Sequence, residues 1–360
     1  MKTAVVLFNL GGPDSLDAVQ PFLRNLFSDP AIIRLPNPLR WLVAKLISSR
    51  RAPVAREIYG KIGGRSPIRE LTEAQARALQ QVLNGASGPP QDETRVFVAM
   101  RYWHPFAGEA ARAVKEFAPD QIVLLPLYPQ YSTTTTGSSA DDWRRAAATA
   151  RLAAPTKLIC CYAGDTGYVE AVARHLGTAI ADARRSGRPF RVLLSAHGLP
   201  KKIVAAGDPY QAQIEQTAAA VIAALGAAAE GLDWRVCYQS RVGPLEWIGP
   251  ATDAEIARAG AEGLGLIVAP IAFVSEHSET LVELDIEYRH LADRSGVPFY
   301  DRVPALGTDA GFIAALAGLV RRGGSGNGVV AGEGRRICPA VCSGCALPSL
   351  SADGGAKLPP

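Results

Sequence analysis

Three glutamates, Glu279, Glu283 and Glu287, recur every four residues within FVSEHSETLVELDIEYRH, Phe273 to His290. Like charges at that spacing destabilise an α-helix by roughly a few tenths of a kcal/mol per pair, so something must offset the repulsion. At about 100° per residue the three fall on one stripe with His290. Leu281, Leu284, Tyr288 and Leu291 flank that stripe on one side, Val282 and Ile286 on the other, leaving Asp285 and Arg289 for the wet face. An acidic stripe walled by apolar residues suits the lining of a cleft better than open water. The alternative is an amphipathic surface helix with surplus acid.

His197 lies in LLSAHGLP, where an apolar run ends and a Gly-Pro loop begins. A histidine there faces a cleft rather than the interior of a sheet. Imidazole with carboxylate makes a transient site for a borderline divalent ion such as Fe²⁺, and His277 is placed to orient Glu279. Carboxylates leading away from such a pair can pass hydrated cations inward or relay protons outward, and clustering raises their pKa values. Arg101, Tyr102 and Trp247 offer stacking surfaces and a cation for a large, flat, anionic ligand; packing or an interdomain ion pair is the alternative for each. Six cysteines occur, at 160, 161, 237, 338, 342 and 345. Without a secretory signal, CPAVCSGC reads as metal or iron–sulfur ligation by Cys338, Cys342 and Cys345, with a fourth ligand from elsewhere.

These residues need a scaffold. Apolar runs bounded by Gly and Pro (TAVVLFNL, TRVFVAMRY, QIVLLPLYP, TKLICCYAG, then FRVLLSAHG, WRVCYQS, LGLIVAPIAF) alternate with helical stretches. That alternation predicts parallel sheets covered on both faces, in two successive doubly wound α/β domains, 1–165 and 166–320, with the last helix packing back on the first domain. The chemistry-bearing loops NLGGP, RYWHP, YPQYSTTTTGSS, SAHGLP, CYQSRVGPLEW and FVSEH all fall at the ends of predicted strands, where such folds bind ligands. Neither G-x-G-x-x-G opening a helix nor G-x-x-x-x-G-K-[ST] is present, so nucleotide chemistry lacks its phosphate cradle.

The composition, 48% apolar and 20% charged over 360 residues with a net charge of +4, is that of a globular protein and gives nucleic acid no long basic run to bind. MKTAVVLFNLGGPD reads as a first buried strand rather than a signal segment, and no run approaches the roughly 20 apolar residues of a spanning helix. A cytoplasmic location follows as the expectation. Residues 30–51 differ: Leu39, Trp41, Leu42, Leu46 and Ile47 beside Arg40, Lys45, Arg50 and Arg51 make an apolar lip suited to peripheral contact with the inner membrane, or an ordinary packed helix. Residues 321–360, from GGSGNG onward, read as a flexible linker and cysteine-bearing tail.

In order along residues 3–320, NLGGPDSLDAV, RRAP, GGRSPI, AMRYWHP, LPLYPQYSTTTTGSS, SAHGLP, GDPY, CYQSRVGP, GPATD and FVSEHSETLVELDIEY resemble the ferrochelatases. The resemblance implies the chelatase fold, two Rossmann-like domains without nucleotide. It also implies insertion of Fe²⁺ into protoporphyrin IX, the terminal step of haem biosynthesis, by a monomer or homodimer. It makes His197 a metal-ligating and proton-accepting residue, Glu279 its partner in holding substrate iron, and Glu283 and Glu287 an acidic relay on a distorted helix. Arg101, Tyr102 and Trp247 match porphyrin-pocket positions; Arg51, Tyr59 and Ser66 match positions near the lip and the propionates.

Two departures stand out. Arg65 occupies a position that is usually glycine, and YSTTTTGSS lacks the cysteine that cluster-bearing relatives often carry there. The tail cysteines therefore resemble a 2Fe–2S set whose fourth ligand is displaced, with Cys161 the candidate and Cys160 the alternative; zinc or no metal are further alternatives. Other readings are a same-fold chelatase for coproporphyrin III with iron or a corrinoid precursor with cobalt, and a non-catalytic haem or metal carrier.

Overall fold

The computed structural model describes residues 1–85, 93–241 and 243–347. Among them, nine parallel strands form two sheets. The first contains β1 (Lys2–Asn9), β2 (Glu93–Met100), β3 (Gln121–Pro126), β4 (Thr156–Ile159) and β9 (Gly328–Val330) in the order β2-β1-β3-β4-β9; the second contains β5 (Phe190–His197), β6 (Trp234–Gln239), β7 (Gly265–Pro270) and β8 (Tyr300–Arg302) in the order β6-β5-β7-β8. Numbered from its own first strand, each sheet begins 2-1-3-4, a doubly wound order that reverses direction beside strand 1. Strands covered by helices on both faces must be apolar at every position. Accordingly Ala4 to Leu7 of β1 and Val192 to Leu194 of β5 are wholly buried.

The chain divides into two compact units. One comprises Met1–Cys161 and Leu316–Arg336 with the described residues after Cys345; the other comprises Tyr162–Ala315 and Ile337–Cys345. The Gly-rich segment after Gly323, expected as a flexible linker, is partly strand: Gly328, Val329 and Val330 pair with Lys157, Leu158 and Ile159. Free edge hydrogen bonds on β4 outweigh the weak strand propensity of GNGVV.

Helix Asn37–Gly60 carries the apolar lip and runs through Pro53. Leu39, Trp41, Leu42, Leu46 and Val54 are exposed on it. The acid-bearing segment is not an α-helix: Glu279–Glu287 is a π-helix, followed by an α-helix over Tyr288–Arg294. The 100° wheel therefore does not describe it, because i→i+5 hydrogen bonding widens each turn.

Candidate active site

His197 ends β5, whose partner residue on β6 is Gln239. The following Gly198 permits a close approach: a Cβ there would lie 2.8 Å from the Gln239 carbonyl oxygen and 3.2 Å from the Trp247 ring. This places His197 at the reversal point of the second sheet, with its ring 40% exposed. Its Nδ1 lies 2.8 Å from Oε2 of Glu279, at the start of the π-helix. Its Nε2 has no hydrogen-bond partner among the described residues. His277 Nε2 approaches the same Glu279 oxygen at 3.7 Å, and its Nδ1 lies 3.1 Å from the Ser275 carbonyl.

Glu283 stands behind this pair. Its carboxylate accepts from the Ser240 N–H (2.7 Å), Gln239 Nε2 (3.1 Å), Tyr288 Oη (3.0 Å) and the Ser240 hydroxyl. Ser240 sits at φ +61°, a left-handed conformation costing a non-glycine residue about 1–3 kcal/mol, and this conformation coincides with both of its donors meeting Glu283. Gln239 Nε2 also donates to the Glu279 carbonyl at 3.0 Å, and Gln239 Oε1 accepts from Ser195 Oγ at 2.9 Å. Glu287 is exposed, so the three acids run from a half-buried ion pair out to solvent.

Burial opposes charge on the His197 ring, but the Glu279 carboxylate and its hydrogen bond, with Glu283 behind, raise the imidazole pKa above its ordinary value. Burial would raise Glu279 as well, yet His197 and His277 hold it far below the carboxylate range. Glu283 shifts the other way: burial and the Glu279 charge raise it despite its donors. The ladder thus places a carboxylate that stays ionised next to one that takes up a proton more readily.

The remaining expected residues divide between the units. Arg51, Tyr59, Ser66, Arg101 and Tyr102 belong to the first, Trp247 to the second. Arg51 is exposed. Tyr59 and Tyr102 share a buried cluster with Val19, Phe22, Leu23 and Ala52. Ser66 is buried against Gly12, where a Cβ would come within 2.5 Å of the serine Cβ. Tyr102 is buried with its hydroxyl 2.7 Å from Asp29, and Arg101 holds Asp29 at 2.9 Å and Ser138 at 2.7 Å. Asp29 carries no sequence signal, since an aspartate before proline reads as a turn. A cavity of about 590 Å³ opens between helices Val19–Phe27 and Asn37–Gly60, walled by Trp41 with Arg24 stacked on it at 5.2 Å; none of the expected site residues lines it.

None of the six cysteines is in a disulfide among the described residues. Cys338 accepts from Gln213 Nε2 at 3.0 Å, while its hydrogen bond to Cys345, burial and the neighbouring Cys342 drive its pKa up. The segment docks through Gly344 N–H to the Gly207 carbonyl at 2.9 Å. Cys160 and Cys161 lie in the core of the first unit, their sulfurs 3.8 Å apart. Cys237 is wholly buried and burial pushes its thiol up to about 12. Among the described residues no group of three His, Cys, Asp or Glu side chains has a metal-holding arrangement.

Both sheets and their winding define the class: this is a chelatase fold. Over 90% of the chain it is similar to SirB of Bacillus subtilis solved with Fe³⁺ (TM-score 0.50, 14% identity, 96% of that chain). It is equally similar to the cobalt complex of the sirohydrochlorin chelatase SirB from the subspecies spizizenii (TM-score 0.50, 12% identity, 90% of this chain and 95% of that one). The ferrochelatase family profile matches residues 2–323. A ferrochelatase of Phenylobacterium zucineum is 55% identical over 352 residues, 96% of this chain and 98% of that one. One of Hyphomonas neptunium is 50% identical over 364 residues, 99% and 98% of the two chains. The chain belongs to the ferrochelatase family, and is a porphyrin metal chelatase.

The His197–Glu279 pair makes a titration prediction. On the histidine side its stabilisation is fully present below the unfolded pKa of about 6.5 and is lost as pH rises through the raised folded value. On the glutamate side it is present above about 4.3 and is lost as pH falls through the depressed folded value. Glu279→Gln removes the charge that raises the imidazole, so the His197 resonance in an NMR titration shifts to a lower pKa; an unchanged midpoint contradicts the pairing.

Proposed function

We propose that His197 and Glu279 receive ferrous iron, and that Glu283 and Glu287 move protons or hydrated cations between that pair and solvent. The reaction is insertion of Fe²⁺ into protoporphyrin IX to form protohaem, the last step of haem biosynthesis. One divalent ion replaces two pyrrole protons, so the site must accept protons and hold iron only transiently.

The observation that carries this reading is the 2.8 Å contact between His197 Nδ1 and Glu279, backed by Glu283. In the neutral imidazole Nδ1–H donates to Glu279, which leaves the Nε2 lone pair free for a metal or a pyrrole proton. Glu279 stays ionised and offers an oxygen to a cation. Glu283, whose burial and neighbour favour the protonated form, takes a proton and passes it toward exposed Glu287. The porphyrin itself must bend to expose its nitrogen lone pairs, which binding along its periphery supplies.

Arg51, Tyr59, Ser66, Arg101 and Trp247 are the residues proposed to hold the porphyrin, with Tyr102 behind Arg101. Arg51, an exposed cation, suits a propionate. Tyr102 has no free surface for a ligand; its proposed part is to support Arg101 through the shared Asp29.

The tail is proposed to bind a 2Fe–2S cluster through Cys338, Cys342 and Cys345. The donor set fits in type: the Cys338 thiol, whose pKa its neighbours and burial raise, would be stabilised as a thiolate by a cationic centre. The second unit has one other cysteine, Cys237, but it lies on β6 just before the Gln239 and Ser240 that hold Glu283, beside the site rather than the tail. Cys161 is the proposed fourth ligand and Cys160 the alternative. The lip is proposed to touch an anionic membrane surface, because Leu39, Trp41, Leu42 and Leu46 are exposed beside Arg40 and Lys45. Among the described residues no helix is long and apolar enough to cross a membrane.

His197→Ala is expected to lower iron insertion by roughly 10²–10⁴-fold while protoporphyrin still quenches tryptophan fluorescence on binding; near-normal turnover at saturating iron excludes the assignment. For the tail, protein purified anaerobically is expected to contain acid-labile sulfide, lost on Cys342→Ser and on Cys161→Ser or Cys160→Ser but kept on Cys237→Ser. Sulfide retained in the Cys160→Ser, Cys161→Ser double variant defeats the ligand assignment. For the lip, replacing Trp41 and Leu42 by serine is expected to abolish sedimentation with vesicles containing anionic lipid, and unchanged sedimentation counts against a membrane role.

A further inference from the structure

The π-helix that carries the acids is gripped from two sides. On one side His197 of β5 and Gln239 and Ser240 at the end of β6 hold Glu279 and Glu283. On the other stands Arg302, the last residue of the edge strand β8, paired in register with Val268 of β7. Its side chain is only 9% exposed. Its guanidinium forks onto Asp285, with Nε 2.8 Å from Oδ1 and Nη2 on Oδ2, while Nη1 reaches Glu276. Glu276 also accepts the Ala305 N–H at 2.9 Å.

Glu276 lies three residues before Glu279, and Asp285 lies two after Glu283. One guanidinium therefore pins both ends of the segment whose middle meets His197. A π-helix is rare and occurs mostly as a single turn within an α-helix, and this one also brings like charges together, so contacts from outside help to hold its register. The planar fork of arginine meets Asp285 bidentately and still has an N–H for Glu276; a lysine ammonium is a point charge without that fork.

We propose that Arg302 is a positioning residue for iron uptake, holding the π-helix in the register that brings Glu279 and Glu283 to His197. It rests on the assignment of His197 and Glu279 as the iron-receiving pair. Without the clamp the helix relaxes, the Glu279 carboxylate leaves the imidazole, and iron is met by a disordered donor pair, while the porphyrin-holding residues are untouched.

Steady-state kinetics with iron and protoporphyrin varied separately test this on Arg302→Lys, Asp285→Asn and Glu276→Gln, with His197→Ala as control and thermal melting to establish folding. The expected result is an iron KM raised about 10-fold or more in folded Arg302→Lys and Asp285→Asn, with the porphyrin KM unchanged. If Arg302→Lys does not fold, Asp285→Asn and Glu276→Gln, which retain the arginine, decide. An iron KM within roughly twofold of wild type in every folded variant overturns the clamp, as does a porphyrin KM that rises in step with that for iron. Should His197→Ala retain turnover, the underlying assignment of the pair fails, whatever the Arg302 variants do.

Discussion

A carboxylate held 2.8 Å from an imidazole and largely withdrawn from water fixes most of what surrounds it. Glu279 stays ionised only because His197, and more distantly His277, offset the cost of burial. That charge makes Glu283 difficult to ionise, and a second acid at this depth would be expelled without donors of its own. Ser240, Gln239 and Tyr288 supply them. The strained conformation of Ser240, the buried amide of Gln239 and the hydroxyl of Tyr288 are thus consequences of placing two carboxylates behind one histidine. The repulsion implied by the four-residue spacing is met at Glu279 and Glu283 and relieved by solvent at Glu287.

The two units contain acids of opposite character. Asp29 is tied to the Arg101 cation and to the Tyr102 and Ser138 hydroxyls, and breaking such a buried set costs about 3–5 kcal/mol. Glu283 is met by neutral donors alone, and burial with the Glu279 charge raises its pKa.

The strands, their parallel pairing and the gathering of functional loops at strand ends could be read from the sequence, since apolar runs and Gly-Pro punctuation report burial and turns directly. His197, Glu279 and Glu283 could be placed by residue type and by family resemblance. The π-helix could not be derived from periodicity, because nine residues with an i→i+5 pattern leave no hydrophobic period distinct from an α-helix. Arg302 gives no signal: a lone arginine after a short strand looks like a solvated edge, and its partners lie 17 and 26 residues away. β9 is hidden for a different reason. GNGVV has little propensity of its own and becomes a strand only because β4 presents an edge.

The repeated 2-1-3-4 winding gives the two units equivalent crevices where strand order reverses. In the first, the loop after β1 is Gly-Gly-Pro, and Gly12 lets Ser66 approach its backbone closely. In the second, β5 ends on His197, and Gly198 just beyond it lets β6 and Trp247 approach. The same backbone device, a glycine just beyond the first strand, is therefore used twice. In one crevice it draws in a buried hydroxyl and a packed tyrosine cluster, and in the other it leaves an imidazole 40% exposed beside an acid. The difference lies in the segment that succeeds the third strand of each winding. After β3 comes a short, uncharged π-helix of threonines, Thr133–Gly137, whereas after β7 comes the π-helix Glu279–Glu287 with its glutamates. The acids beside the imidazole thus belong to the unit whose third loop carries the charge.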